Sequence, residues 1–450
     1  MKNTYTKPWE NGPLSVTENG RYFQNGTVPF FWQGDTAWLL FKKLTFAQSC
    51  DYLKNRADKG FNVIQAVLVH SFPNCETSLP MGGIDRPNLI DNDFARPLLE
   101  KGGYWDQVDD VIEEAEKLGL YMGLLPVWGS MVKNGYLNLD NVDAYAEFIA
   151  KRFGKHPNIL WIIGGDCRGS DGTEVWNRLG TKIKEFSPLP HIMGYHPFGR
   201  TSSSLWFHQE KWLDFNMFQS GHRRYDQASL NSWDDNAGKE TFFGEDNWRY
   251  VERDRQAQPA KPTLDGEPSY EQIPQGLHDP SQPFWQDCDV RRYAYWSVFA
   301  GSAGHTYGSN AVMQFYHPDT GKGSYGVKEC WQDALHHPGS GQMQHLHKLI
   351  TSFDFVTAKP MQELLACEEG EKYDRISVLA GKNFALFYDY SGRKFSVRLD
   401  KVPVAGMIHA GWFDPVSGIY SYIGEVSGKK AEFIPPHRPW GQNDWVLVLD

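Results

Sequence analysis

The chain has 450 residues, of which 40% are hydrophobic and 22% charged, a composition typical of a folded globular protein rather than a disordered one. Its 45 basic and 55 acidic residues leave a net charge of −10, which argues against nucleic acid as a partner, because phosphate binding depends on clustered Lys and Arg. No apolar run reaches the roughly 18 residues needed to span a membrane, so we expect no membrane partner.

The N-terminal segment, MKNTYTKPWENG, lacks the apolar stretch of a signal peptide. We therefore expect either a cytoplasmic protein or a periplasmic or secreted protein that is numbered after its signal peptide was removed. The sequence alone does not separate these two locations.

Between residues 28 and 350, apolar runs alternate with segments of helical periodicity, which is typical of repeated strand–helix units. Eight near-continuous apolar segments predict strands, at residues 29–38, 61–70, 120–129, 158–166, 191–198, 213–221, 261–270 and 304–309. Helices are predicted at residues 45–59, 104–118, 141–153, 174–186, 289–300 and 341–352. We predict a (β/α)8 TIM barrel rather than an open doubly wound sheet, because no G-x-G-x-x-G follows the first strand.

After about residue 355 the pattern changes to short strands separated by Gly, Asn and Pro. The segments that predict these strands are RISVLAG, FALFYDYS, KFSVRLD, GMIHAGWFDP, IYSYIGEV and DWVLVLD. Short strands at regular spacing are typical of a small antiparallel β-sandwich. We therefore predict a catalytic barrel with a short N-terminal extension at residues 1–354 and a β-sandwich accessory domain at 355–450.

Aromatic residues make up 14% of the chain, with 17 Trp, 21 Tyr and 27 Phe. Trp and Tyr have an apolar face and a polar tip, so they can stack on the C–H face of a sugar and hydrogen-bond its hydroxyls. Any single ring could equally fill the core. The total favours an oligo- or polysaccharide partner.

In barrels of this kind the active site lies at the C-terminal ends of the strands. The eight predicted strands end with polar and aromatic residues: Asp35, His70, Trp128, Asp166, His196, Gln219 with His222, Glu267, and His305 with Tyr307. Eight residues are predicted to bind substrate: Asp35, Trp38, His70, Trp128, His196, Gln219, His305 and Tyr307. We expect Trp38, Trp128 and Trp206 to act as stacking platforms.

Hydrolysis of a glycosidic bond needs two carboxyl groups. Asp166 and Glu267 end the fourth and seventh strands, on opposing sides of an eight-strand ring, so their side chains can converge across its mouth. We predict Asp166 as acid/base, because the preceding strand is rich in Trp and Ile, and Glu267 as nucleophile. Asp265 is a competitor, since strand alternation places it on the same side as Glu267.

Two further features concern the surroundings of this pair. The glycines that precede Asp166 predict a strand that ends sharply where substrate approaches closely. Glu245 and Asp246 are expected in a helix or loop beside the cleft.

A metal-dependent hydrolase is the alternative that the histidines raise, because His70, His196 and His305 could be ligands. However, the first strand reads QGDTAW, without the H-x-H of such barrels, and the sequence contains no P-loop, HExxH or GxSxG motif. We therefore expect no metal and no cofactor. The cysteines lack CxxC spacing, which predicts free thiols or one chance pair, among Cys50, Cys75, Cys167, Cys288, Cys330 and Cys367.

Four segments resemble glycoside hydrolase family 140 and its barrel relatives, in this order: FFWQGDTAW, ILWIIGGD, YHPFGRTSSSLWFH and KPTLDGEPSYE, followed by RRYAYWSVFAGSAGHTYG. The resemblance implies a retaining barrel that acts on apiose-linked side chains of the pectin rhamnogalacturonan II. It places the acid/base on the Asp of GGD, Asp166, and the nucleophile on the Glu of DGEP, Glu267. GWFDPVSGIY resembles the C-terminal domain of these relatives, which carries a collagen-binding label.

The broader clan of retaining barrels has Asn-Glu at the end of the fourth strand, where this chain has Gly165-Asp166. This difference suits family 140 but leaves the sugar open. The sequence thus predicts a retaining glycoside hydrolase of plant polysaccharide side chains. The alternative is a non-catalytic carbohydrate- or matrix-binding protein on a barrel scaffold, and the oligomeric state stays open.

Overall fold

The computed structural model describes residues 5–72, 87–227, 243–439 and 441–450. The cysteine at position 75 lies outside these residues. An N-terminal antiparallel sheet, which the sequence did not predict, comes first in the chain, with strands β1 (Leu14–Val16), β2 (Phe23–Asn25) and β3 (Val28–Phe30). The ring of Phe23 packs against Trp32 and Phe215, so this sheet closes the end of the barrel at which the strands begin.

The barrel consists of one sheet of nine strands in the described residues. These strands are β4 (Trp32–Thr36), β5 (Val63–Val69), β6 (Tyr121–Val127), β7 (Ile159–Cys167), β8 (Met193–Pro197), β9 (Thr201–Ser202), β10 (Asn216–Gln219), β11 (Thr263–Asp265) and β12 (Gly304–Tyr307). Every residue of β5 and β6 is buried, as expected for parallel strands covered on both faces.

The strand order is β8-β7-β6-β5-β4-β12-β11-β10-β9, and every pair is parallel except β9 with β10. The ring nearly closes where β8 meets β10, because the Asp214 N–H donates to the Met193 carbonyl at 2.8 Å. The prediction of an α/β TIM-type barrel with a C-terminal antiparallel domain is confirmed. The eight predicted strands all occur, and β9 is an extra short strand.

Helices of the described residues surround this ring. Their bounds are α1 (Leu40–Lys43), α2 (Phe46–Asp58), α3 (Tyr104–Lys117), α4 (Gly129–Lys133), α5 (Val142–Phe153), α6 (Thr173–Phe186), α7 (Ser204–Phe207), α8 (Trp248–Gln256), α9 (Asp287–Phe299), α10 (Asn310–Met313), α11 (Trp331–Ala334) and α12 (Pro338–Thr351). Thr45 caps α2 through a reciprocal capping box with Gln48. None of the helices in this part of the chain has the length and apolar character to cross a bilayer.

The C-terminal domain is antiparallel. Its strands are β13 (Lys359–Pro360), β14 (Ile376–Gly381), β15 (Phe384–Asp389), β16 (Phe395–Val397), β17 (Ile408–Phe413), β18 (Tyr420–Val426), β19 (Ala431–Phe433) and β20 (Trp445–Leu449). Six form one sheet in the order β13-β14-β15-β20-β17-β18, and β16 pairs with β19 as a second layer. One face of the larger sheet packs on β16 and β19, and the other packs on the barrel.

Helix α9 forms one of the contacts between the barrel and this sheet. Tyr295 on α9 stacks on Tyr388 of β15, with ring centroids 4.6 Å apart. Arg291, on the same helix, pairs with Asp444 at 2.9 Å, and neither side chain is exposed. The two parts therefore share buried apolar and ionic contacts.

Candidate active site

A cavity of about 120 Å³ lies at the C-terminal ends of the barrel strands. Six of the residues that the sequence pattern placed at or near strand ends line it: Trp38, Trp128, Asp166, Gln219, His222 and Glu267. The structure therefore brings Asp166 and Glu267, which are far apart in the chain, to one shared cavity.

Asp166 is aimed by an irregular end of β7. Gly164, Gly165 and Asp166 have φ angles of 95°, 114° and 49°, all in the left-handed region. The pairing of β7 with β8 shifts register between Gly164 and Cys167, which is a β-bulge. Bulges redirect side chains at the rims of barrels, and here the redirected side chain is the Asp166 carboxyl group, in the cavity wall.

Neighbouring atoms of this protein leave no room for a side chain at Gly164 or Gly165. A Cβ on Gly164 would lie 2.5 Å from the carbonyl oxygen of His196, and a Cβ on Gly165 would lie 2.8 Å from the Trp128 ring. Both positions also have φ angles that side chains disfavour. These contacts give the two glycines a packing reason, and the close approach of substrate at this strand end stays a prediction.

Glu267 lies two residues after β11 and is 8% exposed. His222 Nε2 lies 3.1 Å from its Oε1, and His196 Nε2 lies 3.2 Å from its Oε2 in a less well aligned contact. Burial alone would raise the pKa of this carboxyl, but the contacts with the two histidines outweigh it and lower the pKa to about 2. Glu267 is therefore a carboxylate at neutral pH.

His196 connects the two carboxyl residues. The Asp166 backbone N–H donates to His196 Nδ1 at 3.2 Å, so Nδ1 is an acceptor and the ring proton is assigned to Nε2. That Nε2–H is the group that faces Glu267. The bulge that aims Asp166 thus also sets the tautomer that stabilises the Glu267 charge.

Two tryptophans form an aromatic wall. The rings of Trp38 and Trp128 are 5.2 Å apart, and the Trp38 ring lies edge-on to His196 at 5.2 Å. His70 stacks behind Trp128 at 5.1 Å and 22°, and burial lowers its pKa to about 3, so it is neutral. His70 supports the wall without lining the cavity. Trp206 is also outside it and packs over Gly169.

His70 and His196 are buried beside the cavity without lining it, and three further predicted substrate-binding residues are buried away from it. Asp35 pairs with Arg56 at 2.6 Å, and neither side chain is exposed. The Tyr307 hydroxyl donates to Glu271 at 2.7 Å. His305 is fully buried, and burial lowers its pKa to about 3. We therefore leave these three residues out of the proposed site.

Asp265, the predicted competitor, is fully buried and does not line the cavity. It accepts hydrogen bonds from the Ser220 hydroxyl at 2.6 Å and from Asn247 at 3.1 Å. Burial raises its pKa to about 7, although these hydrogen bonds act in the opposite direction. Its role is to anchor the chain that leads to His222.

Glu245 and Asp246 lie in the loop before α8. Glu245 is fully buried and pairs with Arg292, and Asp246 accepts from the Tyr225 hydroxyl. Neither residue lines the cavity.

Sequence reasoning missed several residues of the cavity wall: Phe198, Arg200, Arg223, Tyr270, His278 and Tyr325. Phe198 and Arg200 follow His196 within four residues, and Arg223 follows Gln219 equally closely. Their position just after a strand end is the signal that could have found them. Tyr325 and His278 lie in long loops, where no periodic pattern indicates a direction.

The described residues contain no group of three or more His, Cys, Asp or Glu that could hold a metal ion. The five cysteines within them are free thiols: Cys50, Cys167, Cys288, Cys330 and Cys367.

Two family models match the chain. Residues 17–357 match the model described as "Apiosidase-like, catalytic domain". Residues 359–450 match the model described as "Putative collagen-binding domain of a collagenase".

Two solved structures are similar over nearly the whole chain. One, described as a glycoside hydrolase, is 42% identical with a TM-score of 0.89, and the alignment covers 99% of this chain and 98% of that one. The other is a glycoside hydrolase family 5 protein from Bacteroides vulgatus ATCC 8482, 41% identical with a TM-score of 0.92, covering 99% and 95%. A search of curated proteins found no match.

Proposed function

This chain belongs to the apiosidase-like family of catalytic domains and is a glycoside hydrolase, and on that premise we propose that Asp166 and Glu267 catalyse a retaining hydrolysis. The observation that carries the proposal is the single cavity that both carboxyl groups line. A retaining mechanism needs one carboxyl group as nucleophile and a second one as acid and then base.

Glu267 suits the nucleophile because its pKa of about 2 keeps it ionised. It attacks the anomeric carbon and forms a glycosyl ester, while Asp166 gives its proton to the departing oxygen. In the second step Asp166 takes a proton from water, the water oxygen attacks the anomeric carbon, and Glu267 leaves as a carboxylate. The sugar is released with its original anomeric configuration.

The proposed substrate is a plant polysaccharide side chain with a terminal apiose, as in the pectin rhamnogalacturonan II. The apiosidase-like family match supports this sugar. The aromatic wall formed by Trp38 and Trp128 supplies ring faces on which a sugar can stack, and Gln219 supplies an amide that can hydrogen-bond its hydroxyls.

The test is a screen of the purified enzyme against pectic side-chain oligosaccharides, with products separated by chromatography and the first-formed anomer identified by proton NMR. We expect release of apiose with retention. Asp166→Asn and Glu267→Gln should each lower kcat/KM by about 10²-fold to 10⁴-fold, because each removes one chemical role. Asp143→Asn, an exposed carboxylate on α5, is the matched control and should leave the rate unchanged.

Each part of the proposal has its own contrary outcome. Wild-type rates in Asp166→Asn or Glu267→Gln would remove that residue from the mechanism. Initial release of the opposite anomer would exclude the retaining reaction. Release of a different sugar, with apiose-linked oligosaccharides left intact, would exclude the proposed substrate but keep the chemistry.

A further inference from the structure

The segment that carries His222, residues 220–225, is held at its upstream end by the barrel. The Gly221 N–H donates to the main-chain oxygen of Glu267 at 3.2 Å. The Ser269 hydroxyl donates to the Gly221 carbonyl at 2.8 Å. These contacts hold the main chain before His222, and the His222 carbonyl accepts from the Gly276 N–H at 2.6 Å and from Trp285 Nε1 at 3.2 Å. The position of the imidazole also depends on how the chain after His222 is held.

The downstream end of this segment is held by Glu245. The Tyr225 N–H donates to Glu245 Oε1 at 3.3 Å, and the same oxygen accepts from the Tyr373 hydroxyl at 2.6 Å. The other carboxylate oxygen of Glu245, which is fully buried, pairs with Arg292. The Tyr373 ring also packs edge-on against Tyr225, at 5.5 Å and 70°. Tyr373 therefore contacts both Tyr225 and the carboxylate that holds it.

Tyr373 belongs to the C-terminal domain, in a short turn before β14 (Lys372–Asp374). The Arg292 guanidinium of the barrel lies 4.9 Å from the Tyr373 ring centroid and 5.0 Å from that of Tyr390. The contact is thus part of the interface between the two domains. Tyr373 is nevertheless 40% exposed, so its hydroxyl can be removed without emptying the core.

We propose that Tyr373 is a positioning residue, through which the C-terminal domain orients His222 against the nucleophile by way of Glu245 and Tyr225. The inference rests on the proposed role of Glu267. His222 Nε2 is 3.1 Å from Glu267 Oε1, and hydrogen bonds weaken steeply as distance and angle depart from the optimum. Loss of the Tyr373 hydroxyl leaves Glu245 Oε1 with one donor fewer and the segment less constrained.

A displaced His222 would change the charge balance at Glu267. Within the described residues, the titratable and charged groups around Glu267 are His196 on β8, His222 after β10, Tyr270 after β11, and Asp166, Arg200, Arg223, His278 and Tyr325 in the cavity wall. Only His222 and Arg223 lie on the segment that Tyr373 reaches through Glu245. Weaker support from His222 allows Glu267 to hold a proton at higher pH, and this effect is a readout that simple loss of stability does not produce.

The test is Tyr373→Phe, which removes only the hydroxyl. We expect kcat to fall by about three- to tenfold, the effect of one hydrogen bond, with KM little changed. The acidic limb of the pH profile of kcat/KM should move to higher pH. Tyr388→Phe is the matched control, because Tyr388 lies at the same domain interface, stacks on Tyr295 and has its hydroxyl 3.5 Å from Asp444. It should keep the wild-type kcat and acidic limb.

A wild-type kcat and acidic limb in Tyr373→Phe would overturn the proposal, even if its melting temperature fell. Equal shifts in Tyr373→Phe and Tyr388→Phe would also overturn it, because they would indicate general loosening of the interface. The proposed function fails separately, if Glu267→Gln stays active. An inactive Glu267→Gln together with a wild-type Tyr373→Phe contradicts only the positioning role.

Discussion

Glu267 is a buried carboxyl group whose charge depends on two neighbours. Burial favours the protonated form, and the contacts from His196 and His222 outweigh that preference and lower the pKa to about 2. The two histidines come from different strand ends, so the ionisation of the proposed nucleophile depends on the barrel as a whole. Removing one of them should return the balance towards the protonated form.

His222→Ala tests this balance. The contacts with the two histidines hold the pKa of Glu267 well below its usual value in the wild type, so its titration should limit activity only at the acidic end of the profile. The variant loses one contact that lowers the pKa while burial still raises it, so the acidic limb of kcat/KM should move upward in pH. The measurement is kcat/KM between pH 3 and 8, with His336→Ala, an exposed histidine, as control. An unchanged acidic limb in His222→Ala would contradict this account of the Glu267 charge.

At the level of the element, the end of β7 determines where the Asp166 side chain and the Trp128 ring lie. Three consecutive residues in the left-handed region form the bulge that turns Asp166 towards the cavity. The Trp128 ring occupies the space where a side chain at position 165 would be. The conformation of the end of β7 and the position of the Trp128 ring therefore depend on each other.

Gly165→Ala should damage the site, because the new Cβ would lie 2.8 Å from the Trp128 ring at a φ of 114°. We expect kcat/KM to fall by tenfold or more, since displacement of positioned groups by about 1 Å can cost about 10²-fold. Gly135→Ala is the matched control: its φ is also positive, at 75°, but no atom lies within 4 Å of the added Cβ.

The control should lose about 1–2 kcal/mol of unfolding free energy, from backbone strain alone, and keep full activity. Steady-state kinetics and urea denaturation of both variants give the comparison. If the two variants lost activity equally, backbone strain and not contact with Trp128 would be the cause.

At the level of the whole molecule, the barrel and the C-terminal domain share a buried ionic contact. Arg291 on α9 bonds Asp444 through Nε at 2.9 Å and through a second nitrogen at 3.0 Å. Arg438 of the C-terminal domain also contacts Asp444. Neither Arg291 nor Asp444 is exposed, so loss of Asp444 leaves the buried Arg291 guanidinium with Asp287, at 2.8 Å, as its remaining carboxylate partner.

Asp444→Ala should therefore lower the free energy of unfolding by up to about 3–5 kcal/mol, as measured by urea denaturation. Glu147→Ala on α5 is the control, since Glu147 and Lys151 form an exposed pair worth at most about 0.5 kcal/mol. A loss from Asp444→Ala as small as that from the control would show that water or other groups compensate Arg291.

The amino-acid order was enough to locate the barrel and the residues that end its strands. The apolar periodicity that indicates a strand is a property of neighbouring residues, so the positions of Asp166, Glu267 and Gln219 could be located before any contact was known. The same reasoning could not separate Asp35, which ends β4 equally well, because its carboxylate turns to Arg56. The short strands β1, β2, β9, β13 and β19 were missed, and β3 was merged with β4 in the predicted strand 29–38, because two or three residues carry little pattern.

The folded chain decides which strand-end residues face the cavity. It also decides the protonation state of each of them. The charge of Glu267 depends on His196 and His222, and the support of His222 reaches through Glu245 to the C-terminal domain. Orientation, burial and the partners of a polar group come from segments that are remote in the chain. The protonation state of a buried group depends on its distances to charged and hydrogen-bonding partners. Local sequence does not indicate those distances.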